Sequence, residues 1–404
     1  MRSTMLGVFR DATWLTAERV VAYSWITLTA YAIALAGLVV TATSLLDAWQ
    51  RPLGMDFLCF WSAGALALKG QATTVYDLAI HQAVQAGVVS APVAQYFPFR
   101  NPPLFLLLLA PLAALPYPLA LLAWLGATAS VLLVLVKRLV PHPRTTLVLL
   151  AWPGFFDNLM HGQNGCLSAA LLAGGLLGLE SQPLAAGAVF AGLTYKPQLA
   201  VLVPVARLAA GQWRAVAGMV AGFLALLAAS VLCFGADAWS AFFASIVASK
   251  GALEGAHGAY YGKAGVFSAV RLIGGGVPVA WIAQGIVSMA MVACVAKFWR
   301  STAPQPLKGA LLVAAIPLAT PWLDFYDLVM LAIPAGVLGL AGLRNGFLPW
   351  ERVVLAAVMI APLASLAISW LCQVQLIPVV EFILLASVIR RIAVTEGIAA
   401  RPRK

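Results

Sequence analysis

Residues 54–70, GMDFLCFWSAGALALKG, set one carboxylate, Asp56, among aromatic and apolar neighbours. The run is too short and too amphipathic to cross a hydrocarbon core about 30 Å thick, which needs roughly 20 apolar residues per helix. It lies just behind a run that is long enough. Residues 22–46 are apolar, exceed the core of a signal peptide and lack a cleavage site, so they are expected to stay as a span. The polar, mildly basic start MRSTMLGVFRDATWLTAERV reads as an amphipathic lead-in. Residues 55–70 then read as a helix lying on the membrane surface with an acid at its start.

The remainder of the chain follows the same solvent rule. Of 404 residues, 62% are hydrophobic and 10% charged, with mean hydropathy +0.94, a balance that a soluble core cannot hide from water. The chain is therefore expected to be an all-α polytopic membrane protein, one integral-membrane domain over residues 1–404. Apolar runs fall at about 22–46, 103–115, 118–136, 145–160, 165–179, 184–195, 198–210, 214–234, 278–297, 309–322, 325–343, 352–371 and 374–390. The net charge of +11 is scattered among loop ends rather than clustered with aromatic residues, which argues against nucleic acid as a partner. The five cysteines are isolated from one another and read as apolar packing residues.

Basic residues mark the cytoplasmic side. Arg2, Arg10 and Arg19, the groups around Arg207/Arg214, Lys297/Arg300/Lys308 and Arg344/Arg352, and the tail from Arg390 are assigned to it. Residues 235–265, 320–327 and Gln373 then fall outside. With both ends inside the span number is even, so about 12 spans are expected and one apolar run is re-entrant; with Lys137, Arg138 and Arg144 also inside, residues 46–118 hold either one extra crossing or none. On this assignment Asp47, Asp56, Asp77, Asp157, Asp237, Glu254, Asp324 and Asp327 gather at the outer face. Residues 47–102 form the first extracytoplasmic loop with two surface helices, MDFLCFWSAGALALKG and TTVYDLAIHQAVQAG.

Four ordered strings carry a resemblance: MDFLCFWSAGALALKGQATTVYD, FPFRNPPLFLLLLAPLAALP, HGQNGCLSAALLAGGLL and AGLTYKPQLAVLVPVARLAAGQWRA. Their order and spacing resemble glycosyltransferase family 87, the polyprenol-phosphate-mannose-dependent mannosyltransferase-like proteins formerly classed as a domain of unknown function; PWLDFYDLVML resembles a late Tyr-Asp region more loosely. The resemblance implies the GT-C architecture, a bundle of about 12 transmembrane helices with two membrane-parallel helices in the first extracytoplasmic loop and a catalytic acid near the start of that loop. Asp56 stands at the corresponding place. It further implies transfer of a hexose, mannose foremost, from a polyprenyl-phosphate to a hydroxyl of a lipid or glycan acceptor, at the extracytoplasmic face of the inner plasma membrane. No cofactor is implied; a divalent cation stays open.

Such a transfer needs a base at the acceptor oxygen, and a carboxylate half-buried by Phe57, Phe60 and Trp61 has its basicity raised; Asp56 is equally placed to cap the helix behind it. Negative charge accumulating on the departing lipid phosphate needs cations, for which Arg100, Lys196, His257 and Lys263 are the candidates, Arg100 also reading as a headgroup-snorkelling side chain. Lys196 interrupts an apolar stretch, where ionisable groups tend to be functional. His161, Gln163 and Asn164 break a hydrophobic hairpin, either to hold sugar or acceptor hydroxyls or as a polar turn. Asp324, Tyr326 and Asp327 form a second candidate sugar or acceptor cluster, with a cap for Asp324 as the alternative. Tyr76-Asp77 and Glu381 read as structural, a helix start and an interhelical hydrogen bond. The alternative class is a secondary transporter or a lipid or glycolipid flippase, in which inverted repeats and midplane charges are expected; no internal repeat stands out here.

Overall fold

The computed structural model describes residues 2–89, 96–255 and 260–399. Among them no strand forms; apart from isolated bridges, the regular structure is helical. Among the described residues six helices are long and apolar enough to cross a membrane: Ala17–Thr41, Tyr117–Leu139, Trp213–Phe234, Val277–Trp299, Phe325–Asn345 and Glu351–Cys372. Shorter apolar helices, among them Gly165–Gly178, Pro183–Tyr195, Pro197–Ala209 and Gln305–Ala319, fill the interior. Gln305–Ala319 is the most enclosed, every residue from 309 to 318 being buried. On the outside, Val40, Leu232 and Leu371, each on one of these six helices, are more than 80% exposed, as side chains that face hydrocarbon are.

Proline sets where several of these helices begin. Pro153, Pro183, Pro197 and Pro278 occupy first-turn positions, where the missing N–H costs nothing. The residue before each proline is pushed out of the helical region. Trp152 and Lys196 are such residues, at φ −69°, ψ 126° and φ −135°, ψ 71°. An apolar stretch is thereby broken at each place, and at the second break a lysine is left inside the bundle.

The polar ends of the helices collect into two groups at opposite ends. One joins the amino-terminal segment to residues 346–352 and 391, through Trp350 N–H to the Arg10 carbonyl, Arg352 Nη1 to the Ala12 carbonyl, and the buried Arg391–Glu351 pair. Arg144 lies within electrostatic reach of Glu18 at this end. The other group holds the candidate site. Segments on either side of the first long loop stay with it: Tyr117 donates its hydroxyl to the Leu53 carbonyl and Trp61 Nε1 donates to Leu115 O at 3.0 Å. Segments at the beginning and end of this region are thus pinned together. The apolar run at 103–115 becomes a short 3-10 turn and the helix Leu106–Leu112, packed under Phe57–Leu68. Phe57–Leu68 and Leu78–Val89 are helical, within the two segments read as helices from the sequence. Asp77 accepts from Ala79 N and Ile80 N at 2.9 and 3.0 Å, capping the second.

Candidate active site

Asp56 sits at the N-cap position of Phe57–Leu68 but makes no capping hydrogen bond. Its backbone, at φ −68° and ψ −20°, is already helical, unlike the extended geometry of a capping residue. Instead Oδ2 accepts from Gln163 Nε2 at 2.9 Å. Gln163 is buried, and its Oε1 accepts from Asn164 N at 3.0 Å, so the network fixes which end of the amide faces the acid. Among the described residues no hydrogen bond reaches Oδ1 of Asp56.

Gly162 makes this approach possible. Its φ is +62°, and a Cβ there would lie 2.5 Å from Phe57 Cβ and 2.7 Å from the Gly54 carbonyl. Only glycine supplies the left-handed turn without filling that space. Trp124 holds the same turn from behind, its Nε1 donating to the carbonyls of Gly162 and Gln163 at 3.1 and 3.2 Å.

Two lysines and two aspartates pair across the far side of the site. Lys196 Nζ lies 2.6 Å from Asp327 Oδ1 and 3.2 Å from Asn164 Oδ1, and 4.8 Å from the ring centre of Tyr326. Lys196, Asp327 and Asn164 are all buried. Tyr195 braces them, its hydroxyl donating to Asn164 O at 3.0 Å. Lys263 pairs with Asp324, which also accepts from the Tyr326 hydroxyl at 3.0 Å. Asp327 Oδ2 accepts from Asp324 N at 3.3 Å, so Asp327 closes the turn that begins at Asp324. Gly165 admits this segment, for a Cβ there would fall 2.2 Å from the Tyr326 carbonyl oxygen.

The structure thus brings Asp56, His161, Gln163, Asn164, Lys196, Lys263, Asp324, Tyr326 and Asp327 to one end of the bundle. Arg100 joins them at the rim: exposed, its guanidinium lies 5.9 Å from the centre of the Trp322 ring, within cation–π range. Among the described residues it makes no ion pair. His257 lies outside the described residues. The lysines expected at phosphate and the acids expected at sugar, metal or a neighbouring basic residue are paired with each other in this structure, Lys196 with Asp327 and Lys263 with Asp324. It also brings in residues that sequence reading did not single out: Trp322, Trp124, Tyr195, and Asn101, whose Nδ2 donates to Tyr195 O at 3.1 Å.

Burial raises the Asp56 carboxyl above the ordinary carboxylate range; protonated His161, the Gln163 hydrogen bond and Lys263 offset this in part, while Asp324 adds to it. Burial alone would push Asp324 up as well, but the charges of Lys263 and Lys196 with the hydrogen bonds from Lys263 and Tyr326 hold it below the usual range. The two carboxyls are thereby driven apart, one toward a proton acceptor and one toward a permanent anion. His161 is fixed by Asp157, with Nδ1 2.9 Å from its carbonyl oxygen and 3.3 Å from its carboxylate; Nδ1 therefore carries the proton, and Nε2 remains for a ligand. No group of three or more histidine, cysteine, aspartate or glutamate side chains gathers as a metal site among the described residues.

The described residues thus form a helical protein with six helices apolar enough to cross a membrane and a half-buried carboxylate, Asp56, among polar groups at one end of the bundle. A family model for glycosyltransferase family 87 matches residues 99–321, more than half of the 404 residues, and the chain belongs to that family. It is a membrane glycosyltransferase. The match covers Arg100, the His161 turn, Lys196 and Lys263; Asp56 precedes it and Asp324 follows it. Neither a curated protein nor a solved structure matches the chain.

Proposed function

We propose that the chain moves a hexose, mannose foremost, from a polyprenyl-phosphate donor to a hydroxyl of a lipid or glycan acceptor on the extracytoplasmic side, with Asp56 as general base. The carrying observation is the Asp56 carboxylate itself, one oxygen held by Gln163 and the other unengaged among the described residues, in a half-buried site that raises its basicity. Oδ1 takes the proton of the acceptor hydroxyl as that oxygen bonds to the anomeric carbon. The bond from that carbon to the lipid phosphate breaks, and its electron pair leaves with the phosphate. Direct displacement inverts the anomeric centre.

Arg100 is the cation best placed for the departing phosphate, because Lys196 and Lys263 are already matched by Asp327 and Asp324. His161, Tyr326 and Asp324 are half-buried and available to sugar hydroxyls. Asn164 and Asp327, buried against Lys196, act by holding it in place. An apolar groove of about 240 Å³, lined by Leu108, Leu112, Trp124, Val131 and Leu167 among others, suits an isoprenoid chain. Its wall residue Trp124 touches the Gly162-Gln163 turn that carries the partner of Asp56.

On this reading twelve passes connect the two polar ends: the six long helices, residues 145–161, the four shorter helices Gly165–Gly178, Pro183–Tyr195, Pro197–Ala209 and Gln305–Ala319, and Ile377–Ala399. The described residues between 42 and 116 contribute none. The even number leaves both termini on the cytoplasmic side. The test is incubation of purified protein with radiolabelled polyprenyl-phosphate mannose and membrane acceptors, beside Asp56→Asn. Transfer by the native chain and its loss in the variant support the proposal. Equal transfer by both removes Asp56 as the base, and uptake of labelled solute into vesicles without any transfer replaces the enzyme reading with a transporter.

A further inference from the structure

At the end of the bundle opposite Asp56, four buried donors come from elements that pack together. Arg207 ends the helix Leu202–Ala209 and is fully buried. Its Nη1 donates to Gln212 Oε1 at 2.7 Å, and its guanidinium carbon lies 3.6 Å from the centre of the Trp299 ring. Nε and Nη2 have no acceptor among the described residues. These two atoms form one edge of the planar guanidinium, the edge whose parallel N–H groups take two oxygens of an oxyanion. The stacked indole of Trp299, 2% exposed, also has no acceptor for Nε1.

Gln305, the first residue of Gln305–Ala319, adds a third such group in Nε2. Lys308 follows one turn later, within electrostatic reach of Arg207. Its ammonium donates to the Ser301 carbonyl, and the carboxylate that acts on it is Glu396, engaged by Thr302 Oγ1 at 3.4 Å. Every unsatisfied group in this cluster is a donor, and the two cations have like charge. Buried cations are stable where an anion balances them. Thr302 and Pro304, between Trp299 and Gln305 in the chain, and Gly211, beside Gln212, are exposed, so the segments that carry the cluster reach the surface at that end.

We infer that this cluster binds a phosphate group, its oxygens held by the Nε/Nη2 edge of Arg207 and by Trp299 Nε1 and Gln305 Nε2, with Lys308 at the rim. A carboxylate would use both its oxygens on the guanidinium edge alone; phosphate brings the additional oxygens that the indole and amide donors require. The phosphate belongs to an anionic lipid headgroup or to a free phosphate ion. Eleven residues separate Lys196 from Arg207, roughly 16 Å of helix at 1.5 Å per residue, so the site is distinct from the one that faces Asp56.

The test uses the full chain in phosphatidylcholine nanodiscs, with thermal unfolding as the readout. Inorganic phosphate is titrated at constant ionic strength against chloride, and phosphatidylglycerol is added to the discs in a separate series. For the native chain one probe raises Tm, phosphate identifying a free ion and phosphatidylglycerol alone a lipid headgroup. Trp299→Phe keeps the stacked ring and deletes one donor. It is expected to need roughly tenfold more of the effective probe, the size of one hydrogen bond to a charged group. Arg207→Lys keeps the charge, loses the two-pronged edge and is expected to abolish the shift. Should Arg207→Lys not fold, Trp299→Phe carries the test. No shift with either probe, or equal shifts in the native chain and Trp299→Phe, overturns the proposal.

Discussion

Gln163 donates to Asp56 across 107 residues of chain, at 2.9 Å, and this bond tunes the acid rather than capping a helix. Because the bond favours the ionised carboxylate, removing it raises the Asp56 proton affinity further. Transfer needs the deprotonated base, so it falls as pH drops through a value above the ordinary aspartate pKa of about 3.9. Gln163→Leu is expected to move that acid limb to higher pH, measured as the pH profile of kcat/KM for sugar transfer. An unmoved limb would separate Gln163 from the titrating group.

Asp56→Asn keeps the shape of the side chain and removes its basicity. A general base contributes about 10²- to 10⁴-fold to rate, and a loss of that size is expected in single-turnover transfer from labelled donor. Melting of the variant should match the native chain, because Asp56 makes no helix cap.

Arg100 is expected to act on the donor rather than the acceptor. Arg100→Gln should lower kcat/KM for the polyprenyl-phosphate sugar by roughly tenfold or more, the value of one charge-assisted hydrogen bond, with the KM for acceptor unchanged. Trp322→Phe, which keeps a ring under the guanidinium, should retain most activity. Titration of both substrates separately provides the check.

The Lys196–Asp327 pair is buried on both sides, and breaking one partner strands a charge. Lys196→Met is expected to destabilise the fold by about 3–5 kcal/mol, and Lys196→Met with Asp327→Leu to regain much of that. Thermal unfolding in detergent of the two single variants and the double variant measures the coupling.

Gly162→Ala forces a Cβ into 2.5 Å of Phe57 Cβ at φ +62°. The Asp56–Gln163 distance must grow to relieve it, so transfer should fall sharply while the rest of the bundle stays folded. Activity and far-ultraviolet circular dichroism, read on one preparation, distinguish this from global unfolding.

Much of the site was legible because polar residues are rare in this sequence. Asp56, the His161–Asn164 turn, Lys196 and the 324–327 cluster stand out against apolar surroundings, and the structure gathers them at one end. Their partners were not legible. Lys196 meets Asp327 at a separation of 131 residues and Lys263 meets Asp324 at 61, and nothing in local patterning says which helix ends are neighbours. Trp322 and Trp124 were hidden for the opposite reason, since an aromatic residue in an apolar run gives no sign of a polar partner; Trp322 offers its ring face to Arg100 and Trp124 its indole N–H to the Gly162 and Gln163 carbonyls. The 103–115 run reads as a candidate span by hydropathy; bonds from Trp61 and Tyr117 keep its surroundings at the site end. In the twelve-pass arrangement proposed above, the same bonds go with no crossing among the described residues between 46 and 118.

The 131-residue separation of Lys196 from Asp327 also has a meaning for synthesis. At about 5–20 residues per second, roughly 7–26 seconds pass between the emergence of the lysine and that of its carboxylate. Throughout that interval the segment Pro197–Ala209 carries a cation at its edge with no counter-charge yet made. Committing that segment to the lipid is therefore deferred, or assisted by the insertion machinery, until the helix bearing Asp327 arrives. The last-made third of the chain is thus expected to complete the insertion of the middle, and truncated chains ending before residue 327 should be cleared rather than accumulate.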